Sequence, residues 1–128
     1  MTKILIVDDD ERLLTLYSAV LRKEGYEVLT AADARKAFEL AVSAQPNLIL
    51  LDVMMPSIDG GNAFRYLSGD SSTKEIPVIF LTSLVTEDEV EAAGGKIGGR
   101  EYISKSTPTP KFVATVREAL SRMSRNQS

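Results

Sequence analysis

Residues 48–51 read Leu-Ile-Leu-Leu, four apolar side chains in succession. A strand with one wet face alternates apolar and polar residues, so an unbroken run calls for burial on both faces. The pattern recurs along the chain. Lys3 to Val7 and Pro77 to Leu81 are similar runs, and Glu27 to Thr30 and Tyr102-Ile103 are shorter ones. Between them the apolar period changes to that of a helix. From Asp10, Leu13, Leu14, Tyr17, Val20 and Leu21 share a face, and Gly25 stops that segment. Asp33 to Ser43 carries Ala37, Phe38, Leu40 and Ala41 before Pro46. Asn62 to Leu67 reads as a short helix, Glu87 to Ala93 as the start of an acidic one. Lys111 to Met123 closes the series with Phe112, Val113, Val116, Ala119 and Leu120 inward, and polar Ser124 to Ser128 are expected to fray. Strand and helix alternate five times, which predicts an α/β fold with a parallel sheet covered on both faces. Ligands of such sheets bind beyond the carboxyl ends of the strands.

Composition removes several classes of chemistry. The 128 residues suit one domain. With no cysteine there are no disulfides and no thiolate metal sites, and with no histidine there is no imidazole base, Ser-His-Asp triad or His-ligated zinc. A net charge of -3, from 15 basic and 18 acidic residues, does not suggest a nucleic-acid binder. The apolar runs are too short for a membrane span, and the amino terminus does not resemble a signal peptide, so a reducing cytoplasm is the expected setting.

Asp8, Asp9 and Asp10 follow the first strand, Asp52 the third, Thr82 and Ser83 the fourth, Ser104 and Lys105 the fifth. Each alone has an ordinary reading. The three acids can cap a helix, Asp52 can start a turn, Thr82 can be a strand residue, Lys105 a solvated charge and Tyr102 a half-buried aromatic. Parallel strands would bring the groups at the ends of the first, third, fourth and fifth strands to one edge, and four strand ends with complementary groups ask for a common cause. Gathered carboxylates repel unless a cation joins them, and few protein oxygens plus water is the habit of Mg²⁺. Metal, ammonium and hydroxyl beside a carboxylate make a phosphoryl-binding arrangement, with Asp52 as nucleophile.

Ile4 to Asp10 (Ile-Leu-Ile-Val-Asp-Asp-Asp), Leu48 to Pro56 (Leu-Ile-Leu-Leu-Asp-Val-Met-Met-Pro) with Asp59-Gly60, Pro77 to Ser83, and Tyr102 to Lys105 (Tyr-Ile-Ser-Lys) resemble the receiver domain of two-component response regulators, of the chemotaxis-regulator type. The resemblance covers nearly the whole chain, with residues 1–124 as the receiver and 125–128 as a polar tail. It implies a flavodoxin-like, doubly wound, five-stranded parallel sheet of order 2-1-3-4-5 with five helices. By resemblance Asp52 is the phosphoacceptor, Asp9 and Asp8 hold Mg²⁺ with Asp52, and the backbone carbonyl of Met54 is a further ligand. Thr82 and Lys105 contact phosphoryl oxygens, and Thr82 and Tyr102 form the switch that alters the surface of the fourth helix, fifth strand and fifth helix. The implied partners are a sensor histidine kinase or histidine phosphotransfer protein, a downstream protein target, and a second copy on phosphorylation, without direct nucleic-acid or membrane binding. Self-catalysed phosphorylation and slow autodephosphorylation are implied too. Met54 and Leu84, two residues after Asp52 and Thr82, flank the path of the attacking water, and neither can orient it.

The chain departs from the family in two places. Ser106 follows Lys105 where a proline, often preceded by a cis peptide, is usual. A cis bond to a non-proline residue costs about 2.5–4 kcal/mol, so a trans loop is expected, with the placement of Lys105 open. Gly94, Gly95, Gly98 and Gly99 crowd the region after the fourth helix, which predicts a short helix and a loop. Two other functions compete with the phosphoryl switch. One is a pseudo-receiver that binds partners without carrying phosphate. The other is an aspartate-nucleophile phosphatase of the haloacid dehalogenase type, which needs a second acid where Met54 stands.

Overall fold

The structure is a computed structural model and describes residues 1–52, 60–94, 96–97 and 100–126. Among the described residues, six strands and five helices follow in the order β1 (Lys3–Val7), α1 (Glu11–Lys23), β2 (Glu27–Ala31), α2 (Ala34–Ala44), β3 (Leu48–Asp52), α3 (Gly60–Gly69), β4 (Val78–Thr82), α4 (Glu87–Ala92), β5 (Lys96–Ile97), β6 (Arg100–Ser104) and α5 (Thr109–Asn126). Local chemistry sets the boundaries. Asp10 caps α1 by accepting the Arg12 N–H at 3.0 Å, and Asp33 caps α2 by accepting that of Lys36 at 2.8 Å. Gly25 after α1 sits at φ 94°, where a β-carbon would be strained. Gln45 takes the left-handed conformation after α2, and its side-chain amide donates to the carbonyls of Ala41, Val42 and Ser72. A capping box between Thr86 and Glu89 starts α4.

The strands lie in the order β2-β1-β3-β4-β6-β5. The first five of these are parallel, which is the expected 2-1-3-4-5 order with β6 as the fifth parallel strand. The sixth, β5, was not expected. Lys96 and Ile97 pair antiparallel with Glu101 and Arg100 in the glycine-rich region read as loop. The outer edge of β6 offers unpaired backbone groups, and this short pairing blunts it. Two helices also run longer than expected. α3 starts at Gly60, and α5 reaches Asn126, so part of the polar tail is helical.

Side chains alternate between two cores. Ile4, Ile6, Leu48, Leu50, Ile79, Leu81 and Ile103 face α1 and α5, where Tyr17 and Phe112 stack with centroids 4.5 Å apart. Leu5, Val7, Ile49, Leu51 and Phe80 face α2 and α3, whose Ala34, Ala37, Ala41 and Ala63 let the helices approach closely. The buried Val90 of α4 belongs to neither core. Instead α4 is tied to α5 by Lys111, whose ammonium meets Glu87 at 2.5 Å and also pairs with Glu91.

Leu50 has no exposed surface and lies in the central strand. Leu50→Ala should cost about 2–5 kcal/mol in urea unfolding. Val42→Ala, on the exposed face of α2, should stay within about 0.5 kcal/mol. Equal losses in the two variants would contradict the two-sided core.

Candidate functional site

The strand order reverses between β1 and β3, and their carboxyl ends open a crevice there. Register decides what the crevice holds. Val7 is level with Leu51, Asp52 with Leu81, and Thr82 with Ser104. Asp8 comes one residue past β1, with its N–H still donating to Ala31 O at 3.1 Å. Asp8, Asp52 and Thr82 are therefore ladder or near-ladder residues, and all three are at most 2% exposed.

The acids after β1 divide their tasks. Asp10 is the helix cap, as above. Asp8 Oδ1 accepts the Asp10 N–H at 2.9 Å, which turns Oδ2 into the crevice. Lys105 Nζ lies 2.9 Å from that oxygen and 3.2 Å from Asp52 Oδ2. One ammonium thus bridges two buried carboxylates. Burial acts to lower the Lys105 pKa, but contact with Asp8 and the charges of Asp8 and Asp52 outweigh it and hold it above the usual lysine value. Among the described residues no peptide is cis, so Lys105–Ser106 is trans as expected, and Lys105 still reaches the acids.

The exposed Asp9 completes a carboxylate group. One oxygen each from Asp8, Asp9 and Asp52 lie within 4.8 Å of one another. Asp8 Oδ2 is buried and, Lys105 apart, meets no donor among the described residues. Such an oxygen, in an all-oxygen set, fits a hard divalent cation. Met54 lies outside the described residues, as do Pro56 and Asp59. Thr82 Oγ1 accepts the Leu84 N–H at 3.0 Å, a bond that uses a lone pair and not its own proton. Leu84 itself is 68% exposed.

Tyr102 is half-buried and packs on Phe80 at 5.3 Å, away from the acids. It reaches the edge of a groove of about 560 Å³ between α4, β6 and α5, lined also by Val90, Glu91, Lys111 and Arg122. Arg122 and Glu101, both lining it, form an ion pair at 3.0 Å. Sequence reading did not find these pairs, nor the Arg100 guanidinium that lies 4.4 Å from the Phe64 ring centroid. They join residues far apart in sequence, and no local pattern marks them.

A family model described as the response regulator receiver domain matches residues 4–117. The DNA-binding dual master transcriptional regulator RpaA of Synechocystis is 39% identical over 126 residues, 98% of this chain and 52% of that protein, so the chain spans about half its length. Protein PilH of Pseudomonas aeruginosa is 33% identical over 94% of this chain and 98% of its own. Among solved structures, the Vibrio cholerae chemotaxis protein CheY4 superposes with a TM-score of 0.77 at 30% identity, covering 92% of this chain and 98% of that one. The receiver domain of the sensor histidine kinase PA1611 of Pseudomonas aeruginosa, with magnesium coordinated in its active-site cleft, gives 0.75 at 27% identity, covering 95% and 96%. Sheet order, crevice and sequence agree: the chain belongs to the receiver-domain family of response regulators.

Proposed function

We propose that this chain is a phosphoryl-accepting switch of a two-component pathway, with Asp52 as the acceptor. The observation that supports it most directly is the Lys105 ammonium between Asp8 and Asp52 in a buried, oxygen-lined crevice. The donor is a histidine kinase or phosphotransfer protein. An Asp52 Oδ attacks phosphorus, an O–P bond forms, and the P–N bond of the phosphohistidine breaks with its electron pair leaving on the imidazole. Asp8, Asp9 and Asp52, with the Met54 carbonyl by family resemblance, would hold Mg²⁺, which when bound supplies positive charge against the phosphoryl oxygens. Lys105 passes from the Asp52 carboxylate to a phosphoryl oxygen. The Thr82 hydroxyl donates its proton to another, giving up the Leu84 N–H as the loop moves.

The phosphoryl group carries about 1.5 to 2 negative charges at neutral pH where the Asp52 carboxylate carried one, and it biases a two-state arrangement of Thr82 and Tyr102. The groove between α4, β6 and α5 is the surface that changes its affinity for a downstream protein or a second copy. Among the described residues no helix is long and apolar enough to cross a membrane, which accords with a cytoplasmic setting. The phosphatase reading has no support at position 54, where methionine offers no acid.

Intact mass after incubation with Mg²⁺ and acetyl phosphate should show one added phosphoryl group, absent in Asp52→Asn. No gain in the parent chain would leave the binding-only module, and rapid turnover of phosphate esters would indicate the enzyme. Leu84 offers attacking water no hydrogen bond, so Leu84→Glu and Met54→Asn should each shorten the life of the phosphoryl group several-fold, read as phosphate release. An unchanged half-life in both would remove the idea of slow dephosphorylation.

The site also sets an alkaline limit on stability. Lys105 is raised in the fold, so its contribution is complete below the unfolded value of about 10.4 and is lost as pH rises through the folded value. Burial raises the Tyr17 phenol, with Lys105 opposing and Asp8 and Asp52 adding to the rise, so it too loses stability above about pH 10. Urea midpoints should therefore be flat up to about pH 9 and fall above about pH 10, less steeply in Lys105→Met. An identical fall in that variant would show that Lys105 has no part in it.

A further inference from the structure

The loop that carries Lys105 lacks the proline that shapes it in most of the family, yet its ammonium is placed between the two acids. Something else holds the chain, and the hydrogen bonds around Ser104 identify it. Ser104 is the last residue of β6, level with Thr82 in β4, and only 2% exposed. Its hydroxyl donates to Val85 O at 2.7 Å, across to the loop between β4 and α4. With its one proton used there, it accepts twice: from the Ser106 N–H at 3.2 Å and from the Ser106 hydroxyl at 2.8 Å. Between these, the Lys105 N–H donates to Thr82 O at 2.7 Å.

We infer that Ser104 is a positioning residue for the phosphoryl site, and that its hydroxyl does the work of the absent proline. It fixes the backbone on both sides of Lys105. It also fastens that backbone to the segment carrying Thr82 and Leu84. The loop that carries Lys105 and the loop that follows Thr82 are therefore joined by one buried hydroxyl, and a shift of either loop is felt by the other. Apolar packing would not provide this, because the bonds are directional and converge on one oxygen. Removing that oxygen leaves a carbonyl and two donors without partners at once.

The inference rests on the phosphoryl-switch reading for its consequence, but its structural half can be tested without phosphate. Four chains would be compared: the parent, Ser104→Ala, Ser104→Thr, which keeps the hydroxyl, and Ser104→Val, which has the shape of threonine without it. The first readout is the order of the Lys105 side chain, from carbon-13 relaxation of its Cε in the unphosphorylated protein. The second is the rate of phosphorylation by acetyl phosphate with saturating Mg²⁺, followed by mass. Ser104→Ala and Ser104→Val should loosen Lys105 and slow phosphorylation roughly tenfold, as a displaced catalytic group does, while Ser104→Thr restores both. An ordered Lys105 in Ser104→Ala would overturn the inference. So would equal loss in Ser104→Thr and Ser104→Val when both melt like the parent, since packing would then be the cause. If even the parent takes no phosphoryl group, the functional reading fails, and Lys105 order alone decides the role of Ser104.

Discussion

Asp8 and Asp52 point into the same crevice from adjacent strands, and both are buried. Two carboxylates in that position repel, and neither can turn to water. The Lys105 ammonium is the counter-charge that makes the arrangement tenable. Nearly everything else at this end of the molecule serves to bring that lysine across from the far side of the sheet. β4 and β6 must be parallel and in register, the loop after β6 must run back toward β1, and α5 must begin clear of it. A charge balance that is satisfied but not saturated is also one that an incoming anion and cation can rearrange.

The sheet places the proposed reacting groups with little freedom. Asp52 is itself a ladder residue, level with Leu81 of β4, and Leu51 before it is level with Val7 of β1. Thr82 at the end of β4 is level with Ser104 of β6. The surface proposed as the readout is built differently. α4 is six residues long, shares neither core, and is joined to α5 through the charge of Lys111. A rigid site beside a lightly anchored helix lets a local change of charge appear as a change of surface.

Much of this was legible in the sequence. The apolar runs at Ile4 to Val7 and Leu48 to Leu51 announced buried parallel strands because double burial forbids polar alternation. The rule that sites lie past strand ends then picked out Asp8, Asp9, Asp52, Thr82 and Lys105, which the fold brings to one edge. What stayed hidden depended on geometry with no local mark. Three consecutive aspartates do not reveal that Asp10 caps the helix while Asp8 turns inward. A two-residue strand at Lys96–Ile97 is too short to show a period. Ser104 was visible as a polar strand end, but its reach to Val85, 19 residues away, exists only in the folded chain.

The Tyr17–Phe112 stack joins the first helix to the last. Around it, Ile4, Ile6, Leu14 and Leu21 share a core with Val116 and Ala119. One layer of this protein thus stays open until the final helix has been made. A ribosome adding about 5–20 residues per second exposes the apolar face of β1 and α1 for several seconds before α5 arrives to cover it. The α2–α3 layer draws on residues from Leu5 to Phe80 and can close earlier. Synthesis should therefore leave a half-covered sheet whose wet side is the one beneath α1, a natural place for a chaperone to bind.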